Sequence, residues 1–292
     1  MSNLVRKIIF LLFCLGFSPL LIHGQIYFST EIGTMSYVGD LSPLKSAISF
    51  SNPKPYFGTS IGKQLGKVVT GEFRFVFGEV TGDDSYSKDE SRRIRNLSFQ
   101  SNIYEYSLGL KFNINRIFLK CLDKYGISVN YDAGIGIFNF NPRTKYEGRW
   151  VDLRPLHTEC QGCYDIVDYD EYELSQLNIS YGFSFDIGLS SNTKLGFNYN
   201  YRFLFTDYLD DVSNKYIDGD ILSERFGTLS SILADRSDEV AGGTIHTNGA
   251  MRGDPNNNDG YFTLGMKLTF VFGKSNLVQP MEIIPESIDV KE

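Results

Sequence analysis

The sequence predicts an all-β fold: an eight-stranded antiparallel transmembrane β-barrel with short periplasmic turns and long extracellular loops. Three observations lead to this prediction. Eight segments alternate between apolar and polar residues, their connections alternate between short and long, and charged residues fall on the face opposite the aromatic one. A period of two describes a strand with one apolar face. About nine to eleven tilted residues cross a bilayer, whereas strands of soluble proteins usually have about five or six.

The first 24 residues have the pattern of a secretory signal peptide. Arg6 and Lys7 precede an apolar run over 8–22, and the small residue Gly24 precedes Gln25. We therefore predict a signal peptide over 1–24 that is cleaved near Gly24, and a mature protein in the outer membrane of a Gram-negative cell. Beyond this segment no apolar run is long enough for a transmembrane helix. The net charge of −7 argues against a nucleic-acid partner.

The predicted strands follow one another along the rest of the chain. They lie at about 25–36, 55–65, 69–80, 102–113, 125–139, 177–190, 193–206 and 261–272. The last one, YFTLGMKLTFVF, has apolar residues at alternate positions from Phe262 to Phe272. Its stretch over 263–270 resembles the polar-x-Gly-x-x-apolar-x-apolar signal by which the assembly machinery recognises the closing strand of outer-membrane barrels.

The connections between the predicted strands sort by length. Short ones follow strands 2, 4 and 6, whereas long ones cover 37–54, 81–101, 140–176 and 207–260. Outer-membrane barrels have short turns on the periplasmic side and long loops outside. We predict a barrel domain over 25–273 and a periplasmic C-terminal tail over 274–292. Residues 114–124 are long for a turn and are compatible with a short helical turn.

The face opposite the aromatic residues carries a balanced set of charges. Its members are Glu31, Glu72, Arg74, Glu105, Lys111, Asp132, Asp186, Lys194, Arg202 and Lys267. Eight strands leave room for side chains but not for an aqueous channel, and buried charges need partners. We therefore predict a filled lumen with a network of ion pairs, and prefer it to an ion-conducting channel.

The cysteines predict no catalytic site. Cys160 and Cys163 form a CxxC motif in the third long loop, and we predict a disulfide that staples this loop. A redox site would need a helix N-terminus and a positive environment, and a zinc site would need two more ligands where only His157 is near. Cys121 falls on the opposite side of the membrane.

Other candidate sites are weak. The segment 254–260 resembles the start of a calcium loop but lacks the Gly and Glu that such a loop requires. The acidic segments 207–211 and 218–220 remain candidates for surface calcium, although solvated turns are the preferred interpretation. His246 with Asp235 or Asp238 is the one catalytic pair worth naming, and its spacing does not favour catalysis. No hydrolase, zinc-protease or phosphate-loop motif is present. We predict no enzyme activity, no cofactor and no metal.

Several loop patches resemble a known family. They are Tyr37-Val-Gly-Asp40-Leu-Ser, Arg95-Asn-Leu-Ser-Phe99, Phe138-Asn-Phe-Asn-Pro142, Trp150-Val-Asp-Leu-Arg-Pro155, Phe205-Thr-Asp207-Tyr-Leu-Asp-Asp211 and Arg252-Gly-Asp-Pro-Asn-Asn-Asn258-Asp. In order and spacing they are similar to the PorG-like family of small outer-membrane β-barrels, over roughly 25–273. This resemblance implies an eight-stranded barrel. For the PorG members it also implies a non-enzymatic component of type IX secretion that tethers a periplasmic ring to the outer membrane.

We therefore predict a monomeric barrel in contact with outer-membrane lipid and with a periplasmic ring lipoprotein. Three alternatives remain at this point. The first is a binding or adhesion barrel that acts through its external loops, the second is a narrow passive transporter, and the third is a soluble lipocalin-like carrier. The row of apolar residues from Leu195 to Phe205 argues against the soluble carrier, because its outward face would have to be polar.

Overall fold

Eight long strands close into a barrel in the computed structural model, which describes residues 24–43 and 52–273. They are β1 Ile26–Val38, β2 Lys54–Gln64, β3 Val69–Asp83, β4 Ser98–Asn113, β5 Ile127–Asn139, β8 Ser175–Gly188, β9 Thr193–Leu204 and β10 Gly260–Phe272. Two short strands, β6 Arg143–Tyr146 and β7 Arg149–Asp152, form a hairpin between β5 and β8. The predicted tail and all of the predicted signal peptide except Gly24 lie outside the described residues.

The barrel is antiparallel throughout and closes between its first and last strands. Each strand pairs with its neighbour in sequence, except that β5 pairs with β8 across the hairpin. The β1–β10 register runs from Ile26 opposite Phe272 to Val38 opposite Gly260. The predicted eight-stranded barrel is confirmed. The largest difference in strand bounds is in β4, which begins at Ser98 rather than near 102.

The two ends of the barrel differ as the sequence predicts. Short connections over 65–68, 114–126 and 189–192 lie at one end, together with the start of β1 and the end of β10. The segment 114–126 contains two 3₁₀ turns, Ile114–Arg116 and Lys120–Tyr125. The long connections lie at the other end. By the rule for outer-membrane barrels, we name these the periplasmic end and the outer end.

A belt of apolar side chains covers the outside of the barrel wall. Its most exposed members are Ile32 at 63 %, Ile135 at 61 % and Phe183 at 57 %. Aromatic rings pair across neighbouring strands, for example Phe77 with Tyr104 at a centroid distance of 5.0 Å. A soluble monomer rarely exposes so large an apolar surface, whereas a barrel wall in lipid requires one. No helix in the described ranges is long and apolar enough to cross a membrane.

The long connections fold into one packed structure, which we call the cap (39–43, 52–53, 84–97, 140–174 and 205–259). It contains the β6–β7 hairpin and three short helices, α1 Glu90–Arg95, α2 Gly219–Phe226 and α3 Thr228–Ala234. Gly227, with φ +92°, separates α2 from α3. The sequence predicts only loops in these regions, and the helices and the hairpin were not predicted, because elements of four to eight residues are too short to show a long periodic pattern.

The hydrophobic core lies at the outer end of the barrel and inside the cap. Met35, Val76 and Tyr261 contribute from the strands, and Leu209 and Leu233 contribute from the cap. A second cluster joins Cys160 and Cys163 to Leu222 and Ala234. The cap therefore buries apolar surface against the barrel rim and closes the outer end.

The closing seam depends on two opposed glycines. Gly33 of β1 lies opposite Gly265 of β10. A side chain at Gly33 would collide with the Leu264 carbonyl oxygen and the Gly265 Cα, and one at Gly265 would lie 2.7 Å from the Ile32 carbonyl oxygen. The two backbones approach here more closely than a Cβ atom allows.

We predict that Gly33→Val destabilises the barrel by about 1–3 kcal/mol, because it forces these strands apart. Urea unfolding of the protein in lipid vesicles, followed by loss of heat-modifiable mobility on gels, measures the effect. The matched control is Thr34→Val, which is nearly isosteric and lies on the lipid face of the same strand. An equal loss in both variants would contradict the seam as the cause.

Candidate functional site

Three of the predicted lumen carboxylates are paired in the half of the barrel nearest the periplasm. Glu72 of β3 binds Arg74 at 2.6 Å and Lys111 at 3.3 Å. Lys111 also lies 3.8 Å from Asp132 of β5. Asp186 of β8 binds Lys267 of β10 at 3.2 Å and accepts a hydrogen bond from Asn130 at 3.0 Å. These groups link the neighbouring strands β3, β4, β5 and β8, and the Asp186–Lys267 pair reaches past β9 to β10.

A separate ion pair fills the lumen near the outer end. The Arg202 Nε donates to Glu105 Oε2 at 2.9 Å, and both side chains are fully buried. The Tyr261 hydroxyl donates to the same carboxylate at 2.6 Å. Arg202 also donates to the Thr263 hydroxyl at 2.7 Å. Three strands, β4, β9 and β10, thereby meet around one buried carboxylate.

Two of the ten predicted lumen residues have no ion-pair partner among the described residues. Glu31 is buried and accepts a hydrogen bond from the Asn198 amide at 3.0 Å. Lys194 of β9 is half-buried, with its ammonium 5.7 Å from the centre of the Tyr27 ring. The structure thus brings eight of the predicted charges into ion pairs and leaves one acid and one base outside them.

The lumen opens into a polar cavity at the periplasmic end, which we call the vestibule. Its volume is about 100 Å³. Its charged lining residues are Lys67, Glu72, Lys111, Arg116, Asp123, Asp186 and Lys194. A second cavity, deeper in the lumen beside Arg74 and Asp132, has about 10 Å³, which is room for about one water molecule. The cavity system therefore narrows from the periplasmic side inwards.

Two buried arginines organise the cap. Arg95 at the end of α1 binds both carboxylate oxygens of Asp84 at 2.7 Å and donates to the Arg252 carbonyl oxygen at 2.6 Å. Arg252 in turn donates to Glu159 at 2.9 Å. Glu159 also accepts the backbone N–H groups of Ser213 and Asn214. These contacts join segments that are far apart in the sequence.

Cys160 and Cys163 form a disulfide in the structure. Both sulfur-bearing residues are buried in the second apolar cluster against Leu222 and Ala234. Cys121 is a free and exposed thiol in the turn at the periplasmic end. The disulfide covalently closes the short turn that directly follows Glu159.

Four carboxyl groups, those of Asp40, Asp207, Asp210 and Asp259, meet where the cap joins the barrel. The Tyr37 hydroxyl contacts both Asp210 and Asp259, the latter at 2.8 Å. A hydroxyl has one proton to donate, so one of these contacts requires a protonated carboxyl group. Burial, together with the neighbouring Asp40, raises the pKa of Asp210 to about 8. Burial and the nearby Asp210 raise the pKa of Asp259 well above its usual range.

Asp207 belongs to the same cluster. Burial, together with Asp210, raises its pKa to about 9. Within the described part of the chain, no group of three or more His, Cys, Asp or Glu side chains has the arrangement to hold a metal ion. Carboxyl groups of both acidic segments considered for calcium accept backbone hydrogen bonds within their own loops. Asp210, for example, accepts the Val212 backbone N–H at 2.9 Å.

The structure brings His246 and Asp235 together. The His246 Nδ1 lies 3.0 Å from Asp235 Oδ2, and its ring stacks on Tyr216. Asp235 also accepts the Ser237 hydroxyl at 2.7 Å, so this serine is bound to the carboxylate rather than to the imidazole. Burial opposes ionisation of Asp235, but the hydrogen bonds from Ser237 and His246 outweigh it and lower its pKa. The hydrogen bond of the His246 ring is to Asp235 and not to a nucleophilic side chain.

The buried charged residues of the cap are not evident from the sequence, although they lie in the patches quoted for the family resemblance. Asp40, Arg95, Asp207, Asp211 and Arg252 all lie in patches that carry the family resemblance. The sequence feature that could have indicated these residues is the presence of charged residues within loops rich in Gly, Asn and Pro. Solvated loops carry the same composition, so composition alone does not reveal burial.

These features define an integral outer-membrane-type β-barrel protein with a packed lumen and a folded outer cap. By sequence the chain belongs to the DUF6089 family, a domain of unknown function, whose family model matches residues 6–154. A family of unknown function assigns no role, so the PorG-like role stays a prediction. No curated protein matches the chain by sequence.

Several solved outer-membrane barrels are similar in fold. Ail of Yersinia pestis, in complex with the heparin analogue sucrose octasulfate, has 10 % identity and a TM-score of 0.39, with 86 % of this chain and 100 % of that chain covered. Neisserial surface protein A has 7 % identity and a TM-score of 0.41, with 85 % and 97 % covered. OprG of Pseudomonas aeruginosa has 7 % identity and a TM-score of 0.38, with 86 % and 97 % covered. Likeness at this level transfers no function.

We predict that Arg202→Met destabilises the barrel by about 3–5 kcal/mol, because it leaves Glu105 buried without a counter-charge. Adding Glu105→Gln should recover part of this loss. Urea unfolding midpoints in lipid vesicles measure both effects. The control is Arg225→Met, which breaks an exposed ion pair with Asp165 in the cap and should leave the midpoint unchanged. A single variant as stable as the wild type would contradict the paired lumen.

We predict that the cap loosens as the pH rises. The folded cap holds protons on Asp207 and Asp210 up to about pH 9 and 8, whereas an unfolded Asp loses its proton near pH 4. The stabilising contribution is therefore complete below about pH 4 and is lost as the pH rises through these folded values. Hydrogen exchange of residues 205–259 at pH 6 and pH 9, corrected for intrinsic rates, measures the change.

Asp207→Asn should flatten this pH dependence, and Asp168→Asn, which alters an exposed acid in the same cap, should not. A cap with equal protection at both pH values would show that the carboxyl cluster does not govern its stability.

Proposed function

We propose that the protein is a non-enzymatic outer-membrane β-barrel that serves as a structural docking component of the type IX secretion machinery and tethers a periplasmic ring to the membrane. The difference between the two ends of the barrel carries this proposal. The outer end is closed by a packed cap, whereas the periplasmic end offers the vestibule and an exposed apolar turn. In that turn Phe118 is 76 % exposed, beside Ile117 and Leu119.

A docking role fits the lumen better than a transport role does. The inward charges are largely paired, and the cavity above the vestibule holds about one water molecule. A passive transporter would need a continuous polar path through both ends. The periplasmic features available to a ring lipoprotein are the turn at Gly66 and Lys67, the segment 116–124 and the tail over 274–292.

One observation favours a second candidate, a binding barrel that acts through its outer surface. The cap is folded rather than a set of separate loops, and it exposes Tyr164 at 68 % and Trp150 at 49 %. Exposed aromatic residues on a rigid support are common anchors in binding surfaces. The ligand of such a surface would be outside the cell.

We predict that Phe118→Ser lowers recovery of the periplasmic partner about fivefold or more, because truncating an anchoring aromatic commonly costs more than about 1 kcal/mol. The measurement is a cross-linked pull-down from native outer membranes, with heat-modifiable mobility as the check on folding. Deletion of residues 276–292 should also lower recovery. Tyr164→Ser is the matched control at the outer end. Loss of recovery with the control alone would favour the binding barrel, and no loss with Phe118→Ser would contradict the docking surface.

A further inference from the structure

The vestibule has more positive charge than its own carboxylates neutralise. Its three lining acids are all paired: Glu72 with Arg74 and Lys111, Asp186 with Lys267, and Asp123 with Arg116. Its lining lysines Lys67 and Lys194 form no ion pair with any described residue. An anion that entered the vestibule would therefore meet two ammonium groups that are outside the described ion pairs, whereas each of the three lining acids already belongs to one.

Lys194 is the better placed of these two lysines. It lies on β9 opposite Thr269 of β10, so it projects from the wall where the closing strand ends. It is half-buried between the wall and the Tyr27 ring, whereas Lys67 is exposed in a turn. A partly desolvated ammonium group gains more from a charged partner than an exposed one does.

The rest of the lining suits a peptide. The amides of Gln25, Gln64, Asn113 and Asn130 also border the vestibule and make its lining polar. A volume of about 100 Å³, which equals that of about three liquid water molecules, has room for a carboxylate group. The vestibule lies inside the ring of strands, away from the lipid face, so a lipid head group would have to leave the bilayer to reach it.

We propose that the vestibule binds carboxylate side chains of an acidic peptide, with Lys194 as the principal cationic contact. Two sources present this chemistry. One is the chain itself, because β10 ends beside Gln25 and residues 274–292 carry Glu282, Glu286, Asp289 and Glu292. The other is an acidic segment of a separate periplasmic protein. The site stands on the charges of the vestibule and does not require the secretion role.

The test is carbodiimide cross-linking, which joins a lysine amine to a carboxylate that contacts it. The full-length protein is treated both purified in micelles and in native outer membranes, and cross-linked peptides are identified by mass spectrometry. We expect Lys194 to form cross-links to carboxylates outside the barrel in about tenfold higher yield than Lys145, because a bound carboxylate has a high effective concentration. Lys145 is the control because it is exposed on the cap hairpin at the outer end.

The identity of the cross-linked peptides distinguishes the two sources of the acidic peptide. A cross-link from Lys194 to residues 274–292 in the purified protein assigns the peptide to the chain itself. A cross-link that appears only in native membranes, to an acidic segment of another protein, assigns it to a partner. Recovery of Lys194 unmodified, or linked only to the neighbouring Asp186, in both preparations would overturn the proposal. This outcome is independent of the pull-down with Phe118→Ser.

Discussion

A barrel of eight strands has room inside for side chains but not for bulk water, and the rest of the structure depends on this constraint. A charge that points inward must find a counter-charge, because burying it alone costs several kcal/mol. Glu72, Arg74 and Lys111 meet this demand in the periplasmic half, and Glu105 with Arg202 meets it in the outer half. The Glu105–Arg202 pair also spans the lumen between β4 and β9, and the Lys111 pairs link β4 to its neighbours β3 and β5.

The cap follows a similar rule at the outer end. Its segments would expose apolar residues and backbone groups if they were separate, and they instead pack around Arg95 and Arg252. Each arginine satisfies carboxylates and carbonyl oxygens that no secondary structure pairs. The carboxyl cluster around Tyr37 then connects the cap to β1 through the contacts of the Tyr37 hydroxyl with Asp210 and Asp259. The cap is thus an extension of the barrel core, and the periplasmic end is the accessible one.

The barrel was predictable because its signal is local. In a barrel strand in lipid, apolar and polar residues alternate with a period of two, so each strand between Ile26 and Phe272 can be recognised without knowing which strands pair with it. The phase that places the aromatic side chains outside also places Glu105 and Arg202 inside. The cap was not predictable. Arg252 donates to Glu159, which is 93 residues away in the sequence, and Arg95 donates to the Arg252 carbonyl oxygen, 157 residues away. The sequence around each residue does not indicate such a distant partner.

The opposed glycines of the closing seam have a consequence for assembly. A one-residue slip of β10 against β1 would turn Lys267 and Thr269 towards lipid and bring Leu268 and Phe270 into a lumen already filled by charge pairs. It would also set Gly33 against a residue with a side chain, where the two backbones approach too closely to admit one. Closure in a shifted register is therefore disfavoured both by buried unpaired charges and by steric collision at Gly33. The final step of barrel formation thus selects the correct register.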